Sequence, residues 1–182
     1  MKAGRPFSNL HLSRARIRRE KQSNTVTQVS SSHNSWATRL HIQKIHKQDL
    51  NNVRAMELLK KEWPKTTIRD QVYGDRKYYG LPTNVAKDIW ANSGLRNYKR
   101  TSESFDCDDF SYVYKGAVSK HVYEKKVGFP YAVGILFGSN KTGAHAVNIF
   151  LDENADVKIL EPQNGTVIDG KDWDYKPYFM LM

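Results

Sequence analysis

The chain has 182 residues, 39% hydrophobic, 26% charged and 12% aromatic, with a mean hydropathy of -0.69. That length and balance suit one globular domain with a sizeable core, and no run approaches the ~18 apolar residues of a membrane-spanning helix. One cysteine excludes an internal disulfide and a cysteine-built structural zinc site. The single thiol is therefore either a small packed residue or a nucleophile.

The net charge of +10 is unevenly placed. Residues 1–48 hold ten Lys/Arg against one acid, Glu20, a balance of +9, whereas residues 49–182 hold nineteen against eighteen, a balance of +1. The division implies a basic, weakly ordered arm over 1–48 and a nearly neutral folded domain over 49–182. The arm has few large apolar residues and is rich in Ser, Thr, Asn and Gln from Gln22 to Ser35. Its charge offers a nonspecific contact to nucleic acid or an acidic partner. Met1–Leu12 lacks the apolar centre of a secretory signal. The first nineteen residues are Arg-rich, hold Ser8 and Ser13 and carry no acid, which also fits a mitochondrial-type presequence. The solvated basic tail is the preferred reading of the two.

From residue 49 the pattern sharpens. Asp49 is placed to cap a helix carrying Leu50, Val53, Met56 and Leu59, stopped by Pro64. A polar, Tyr-rich stretch (Tyr73, Tyr78, Tyr79) leads to Leu81-Pro82-Thr83, where a short helix with Val85, Ile89 and Trp90 begins. Asp106 opens the best helix, whose apolar stripe is Phe110, Val113, Tyr114, Ala117, Val118, His121 and Val122. Past Gly128 the period changes to that of strands: Tyr131–Phe137, Ala144–Leu151, Asp156–Leu160 and Tyr178–Met182. Turns at Asn140–Gly143 and Asp152–Asn154 imply antiparallel pairing. The expected class is α+β, N-terminal helices packed on an antiparallel sheet.

Cys107 follows Asp106 and so takes the first helical position. There the helix dipole and free backbone N–H groups favour thiolate and could bind an oxyanion, while the neighbouring carboxylates oppose ionisation. The plain alternative is a small residue packed at a helix start. His145 opens a strand among small residues (Ala144, Ala146) and shares a face with Val147 and Ile149, a base able to reach a neighbouring element. It could equally be a half-buried histidine satisfied by backbone. Glu161 ends the next strand, where its carboxylate can orient that imidazole, or simply be solvated before Pro162-Gln163-Asn164-Gly165. The other histidines are poorer candidates: four lie in the arm, and His121 is four turns along the Cys107 helix.

Cysteine at a helix start, histidine opening a strand and acid ending the next is the papain-type order. With Asp106-Cys107-Asp108-Asp109-Phe110, Ala144-His145-Ala146-Val147-Asn148 and Glu161-Pro162-Gln163-Asn164-Gly165, residues Trp63 to Met182 resemble the compact papain-like cysteine protease domain of MOA-type fungal chimerolectins. The resemblance implies a papain-like fold, a Cys107–His145–Glu161 catalytic triad, and calcium dependence with Asp108 and Gln163 as metal ligands. Asp106 and Asp109 read instead as a capping pair. Two departures stand out. The arm is too short for the family's β-trefoil lectin, so glycan binding is not expected to carry over. Tyr98–Glu103 also offers no Gln for an oxyanion hole.

The expected function is a thiol-dependent, cysteine-peptidase-like hydrolase acting on a peptide or peptidoglycan substrate, cytoplasmic or virion-associated. Two alternatives are a phage murein hydrolase of amidase/endopeptidase type, and a non-enzymatic virion structural or nucleic-acid-binding protein on a papain-like scaffold. The charge division carries its own prediction. Deleting residues 1–48 should abolish polyanion binding, and binding by the full chain should fall steeply as salt rises. Equal retention of nucleic acid by the truncated chain in a filter assay would refute this.

Overall fold

The computed structural model describes residues 49–66 and 68–182. In chain order these form β1 (Asp49–Asn51), α1 (Asn52–Glu62), β2 (Asp70–Val72), β3 (Lys77–Tyr79), α2 (Thr83–Asn92), α3 (Cys107–Lys125), β4 (Val133–Asn140), β5 (Gly143–Leu151), β6 (Val157–Glu161), β7 (Thr166–Asp169) and β8 (Lys176–Leu181). Six strands make one sheet in the order β2-β8-β4-β5-β6-β7, and β1 pairs with β3 apart from it. The expectations for the basic arm and the presequence lie outside the described residues.

β5 explains the layering. From Ala146 to Leu151 every residue is buried, so the strand faces apolar matter on both sides. On one side Phe150 and Leu160 meet Ile89, Phe110, Tyr114 and Val118 of α2 and α3. On the other, Val147, Ile149 and Ile159 meet Leu50, Ala55, Leu59, Tyr78 and Trp173. α3 carries the stripe expected of it, with Phe110, Tyr114 and Val118 buried. Its start is fixed by Asp109, whose carboxylate accepts from the Asp106 N–H at 3.0 Å. Its end is set by Lys126 in the left-handed region at φ 52°.

The fold expectation needs correcting. The body of the molecule is a six-stranded sheet with cores on both faces, not a set of N-terminal helices laid on one face. That sheet is mixed rather than antiparallel, because β2 runs parallel to β8, with Asp70 opposite Phe179. Asp49 belongs to a strand and does not cap α1; Leu50 sinks opposite Tyr78 in the β1–β3 pair. Asn51 caps α1 instead, its side chain accepting from the Arg54 N–H at 2.8 Å. β2, β3 and β7, of three or four residues each, are too short to show a strand period.

Two polar contacts bind α3 to the sheet. Asn148, fully buried, donates its Nδ2 to Ser111 O at 3.0 Å and Gly134 O at 3.2 Å. Lys115 Nζ donates to Val133 O at 2.8 Å, and burial pulls the pKa of that amine down. Replacing Asn148 with Leu is expected to cost about 1–3 kcal/mol, because it strands two buried carbonyls. Urea unfolding checks this, and a loss below a few tenths would show that the amide is dispensable.

Candidate functional site

Cys107 is the first residue of α3 and is half-buried. Ser111 Oγ donates to its carbonyl at 2.8 Å, which keeps the first turn tight. Burial pushes the thiol pKa above the ordinary cysteine value, and the Asp106 and Asp108 charges push the same way. The Ala146 backbone N–H, donated to the sulfur, and the N–H of Cys107 itself act in the opposite direction without offsetting the rise. The lowering expected of a helix start is therefore overcome in the resting site, and a base is required to ionise this thiol.

The adjoining position of β5 carries an imidazole. His145 Nε2 lies 2.6 Å from Glu161 Oε2, with the two side chains 19% and 24% exposed. The contact occupies one ring nitrogen and leaves Nδ1 available for a proton. Glu161 is itself fixed: its Oε1 accepts from the Gln163 N–H at 3.1 Å. Its carbonyl accepts from the Gly165 N–H at 2.7 Å. Trp90 of α2 clamps the same turn by donating Nε1 to Pro162 O at 2.8 Å. The indole also packs on Gly165, at φ 77°, where a Cβ would come within 2.5 Å of the ring. Any side chain at Gly165 is thus opposed by both backbone and space.

A second support lies behind the imidazole. The Tyr175 ring stands 5.3 Å from the His145 ring, and Trp173 stacks on Tyr175 at 5.3 Å. Gly138 is opposite His145 in the β4–β5 ladder, and a Cβ there would sit 2.5 Å from the Trp173 ring. Together with His145 and Glu161 these aromatics line a cleft of about 340 Å³.

Of the residues expected from sequence, His145 and Glu161 are in direct contact, and Cys107 meets the amide of the residue next to His145. Among the described residues, no direct hydrogen bond joins Cys107 to His145. The expected metal ligands are grouped differently. Asp108 clusters with Asp106 and Cys107, their ligand atoms all within 4.8 Å of one another. Gln163 serves the site through its backbone. Asp106 is not merely a cap: its carboxyl hydrogen-bonds that of Asp108, which holds Asp106 low and Asp108 high. Gly138, Trp173 and Tyr175 escaped sequence reasoning, which read Trp90 only as part of a helix and Gly165 only as part of a turn. Only the Trp173-Asp174-Tyr175 run, aromatic and acidic together, was a visible signal.

Gly165→Ala is expected to lower stability by about 1–3 kcal/mol through strain at a left-handed position. It should also disturb the Glu161–His145 contact, seen as a changed His145 ring signal in NMR. An unchanged melting curve would show that Trp90 yields without cost.

Residues 78–167 match a family model described as Agglutinin C-terminal. Two solved structures are similar, each at 37% identity and a TM-score of 0.67 over 75% of this chain. One is a complex of PSL1a with E64; the other is Polyporus squamosus lectin bound to the human-type influenza-binding epitope Neu5Aca2-6Galb1-4GlcNAc. The chain spans 52% and 50% of those chains, about half their length. No curated protein matches. These findings correct the resemblance drawn from motif order. The matching descriptions are of an agglutinin and a lectin, not of a papain-like protease domain. They replace the expected papain-like fold, cysteine-peptidase-like hydrolase and thiol protease with an agglutinin-type likeness. They equally give no support to a murein hydrolase or a virion protein. Carbohydrate is what the lectin neighbour is described as binding, and no helix among the described residues is long and apolar enough to cross a membrane.

Proposed function

We propose that this chain is a module of an agglutinin-type, carbohydrate-directed protein, and that its own working centre is the thiol of Cys107 served by His145 and Glu161. The carbohydrate part rests on the likeness to Polyporus squamosus lectin. The reactive centre rests on the 2.6 Å contact between His145 and Glu161, one residue from the amide that meets Cys107.

Glu161 accepts from Nε2 and so fixes the tautomer in which Nδ1 is the acceptor. The Cys107 proton passes to Nδ1 once a ligand brings thiol and imidazole together, since such contacts tighten on binding. The resulting imidazolium is stabilised by the Glu161 carboxylate, and the thiolate by the Ala146 N–H and the start of α3. An electrophilic carbon is then attacked by sulfur. With an epoxide such as E64, the carbon–sulfur bond forms as the carbon–oxygen bond opens, and the oxygen takes the proton from His145.

Calcium is part of the proposal. Two carboxylates close to one another offer hard oxygens suited to this cation, whereas the Cys107 sulfur is too soft to be its donor. Asp108 and Gln163, with Asp106 added from the observed cluster, are the residues that would hold it. Its charge would offset the carboxylate crowding beside the thiol. Chelation is expected to lower the melting temperature of the full chain, because a bound ion stabilises only the native state. An identical melting curve in chelator would remove the metal.

The reactive centre is tested by mass spectrometry of Cys107 after iodoacetamide or E64. His145→Ala should slow alkylation at pH 7 by at least about tenfold, the low end of general-base contributions being larger still. Rate should return as pH rises through the elevated thiol pKa, because the variant must ionise its thiol unaided. A silent His145→Ala would dissolve the centre. Titration with Neu5Aca2-6Galb1-4GlcNAc tests the carbohydrate part separately, and a chain that bound no glycan would lose that part alone.

A further inference from the structure

A lysine stands on the inward face of α3. Positions 111, 115, 118 and 122 repeat at helical spacing, with Ser111 and Val118 buried and Lys115 and Val122 half-buried. Lysine rarely takes such a place without an acid to pair with. Among the described residues no carboxylate pairs with Lys115. Its Nζ donates to the Val133 carbonyl at 2.8 Å, and the Asp75 charge acts from beyond ion-pair distance. An ammonium has three N–H groups, and that carbonyl is the single acceptor the described residues offer it. The other two would depend on water, against walls that are mostly apolar. A neutral amine has one N–H fewer to satisfy and keeps a lone pair. Burial accordingly pulls the pKa of this amine down.

The amine opens on a cavity of about 230 Å³ between α3 and the segment that enters β4. Val118, Val122, Phe129 and Pro130 are among its walls. Asp75 and Ser119 line it as exposed residues, and the phenols of Tyr78 and Tyr131 line it from β3 and from the approach to β4. The Tyr78 hydroxyl accepts from the Asp75 N–H at 2.9 Å. Burial raises both phenols, Tyr131 to about 12, so neither gives Lys115 a negative partner at neutral pH. Lys77 stands over the Phe129 ring at 5.8 Å and is not part of the lining. A volume below the ~300 Å³ at which drug-sized pockets begin restricts the occupant to a small molecule.

We infer that Lys115 is a second nucleophile of this chain, at a site where a small apolar aldehyde is bound and held as a reversible imine. The Nζ lone pair attacks the carbonyl carbon, the C–O π pair moves to oxygen, and oxygen takes a proton from nitrogen to give a carbinolamine. With a proton from solvent the hydroxyl leaves as water, and a protonated imine with one N–H remains. The Val133 carbonyl that held the amine accepts that N–H in turn. The site lies about two turns along α3 from Cys107 and uses neither His145 nor Glu161, so it stands independently of the thiol centre.

Benzaldehyde with cyanoborohydride tests this on the full chain. Hydride delivered to the imine carbon fixes a benzyl group on each lysine that reacts, and peptide mass mapping gives a rate for each. At pH 7 Lys115 is expected to react at least about tenfold faster than the exposed Lys77 and Lys125, the advantage of a desolvated amine. Its rate should saturate with benzaldehyde while theirs stays linear. Benzyl alcohol, which occupies the cavity without reacting, should slow Lys115 alone. Val122→Phe, at a half-buried lining position, should do the same by filling the space. A Lys115 rate equal to that of Lys77, a rate linear in benzaldehyde, or indifference to Val122→Phe would overturn the inference. So would stronger protection by benzoate than by benzyl alcohol, which would make Lys115 an ammonium that seats an anion.

Discussion

The burial of β5 on both of its faces is the constraint from which the rest of the molecule follows. Alternation sends Asn148 and Phe150 toward α2 and α3 and sends Val147 and Ile149 toward the opposite core. One strand therefore supplies both the amide that meets Cys107 and, one residue earlier, the imidazole that meets Glu161. The small side chains of Ala144 and Ala146 matter here, because a larger residue at 146 would hold the start of α3 away from the strand. Asn148 completes the arrangement by tying Ser111, one turn after Cys107, to the β4–β5 pair.

The electrostatics of the site oppose its chemistry in the resting state. Burial and two neighbouring carboxylates keep the thiol protonated, and the dipole of a nineteen-residue helix does not reverse this. Such a thiol is quiet until a base takes its proton. The imidazole proposed as that base is oriented by a carboxylate that is in turn held by the Gln163 amide and by a turn clamped under Trp90. Positioning extends well beyond the reacting atoms, since α2 acts on Glu161 without touching it, through Pro162 and Gly165. The same logic makes Gly138 and Gly165 informative glycines: each gives up its side chain so that an indole can come close.

Likeness to an agglutinin adds a different kind of information. It covers residues 78–167 as a family and three-quarters of the chain as a structure, but only about half of each solved neighbour. Carbohydrate binding described for a chain twice as long does not say which half makes the contact.

The sequence by itself determined the helix that opens at Cys107, because capping residues and a 3.6-residue apolar stripe are local signals. It also determined the strands that became β4, β5, β6 and β8, and offered the pairing of His145 with Glu161 as one of two readings, which the fold decided. It did not determine β1, β2, β3 or β7, each only three or four residues long, which acquire strand geometry from the partners they meet. Nor could it show the parallel pairing of β2 with β8, a contact between residues more than a hundred positions apart. The direction of the Cys107 pKa was also beyond it, since local sequence reports the helix dipole while burial depends on what packs over the thiol. Asp108 and Gln163 were paired by resemblance, and the fold groups Asp108 with Asp106 and Cys107. Tertiary structure alone decided that Trp173, Tyr175, Asp172 and Asp174 stand around His145, because a residue's neighbours across a cleft are fixed by the path of the whole sheet.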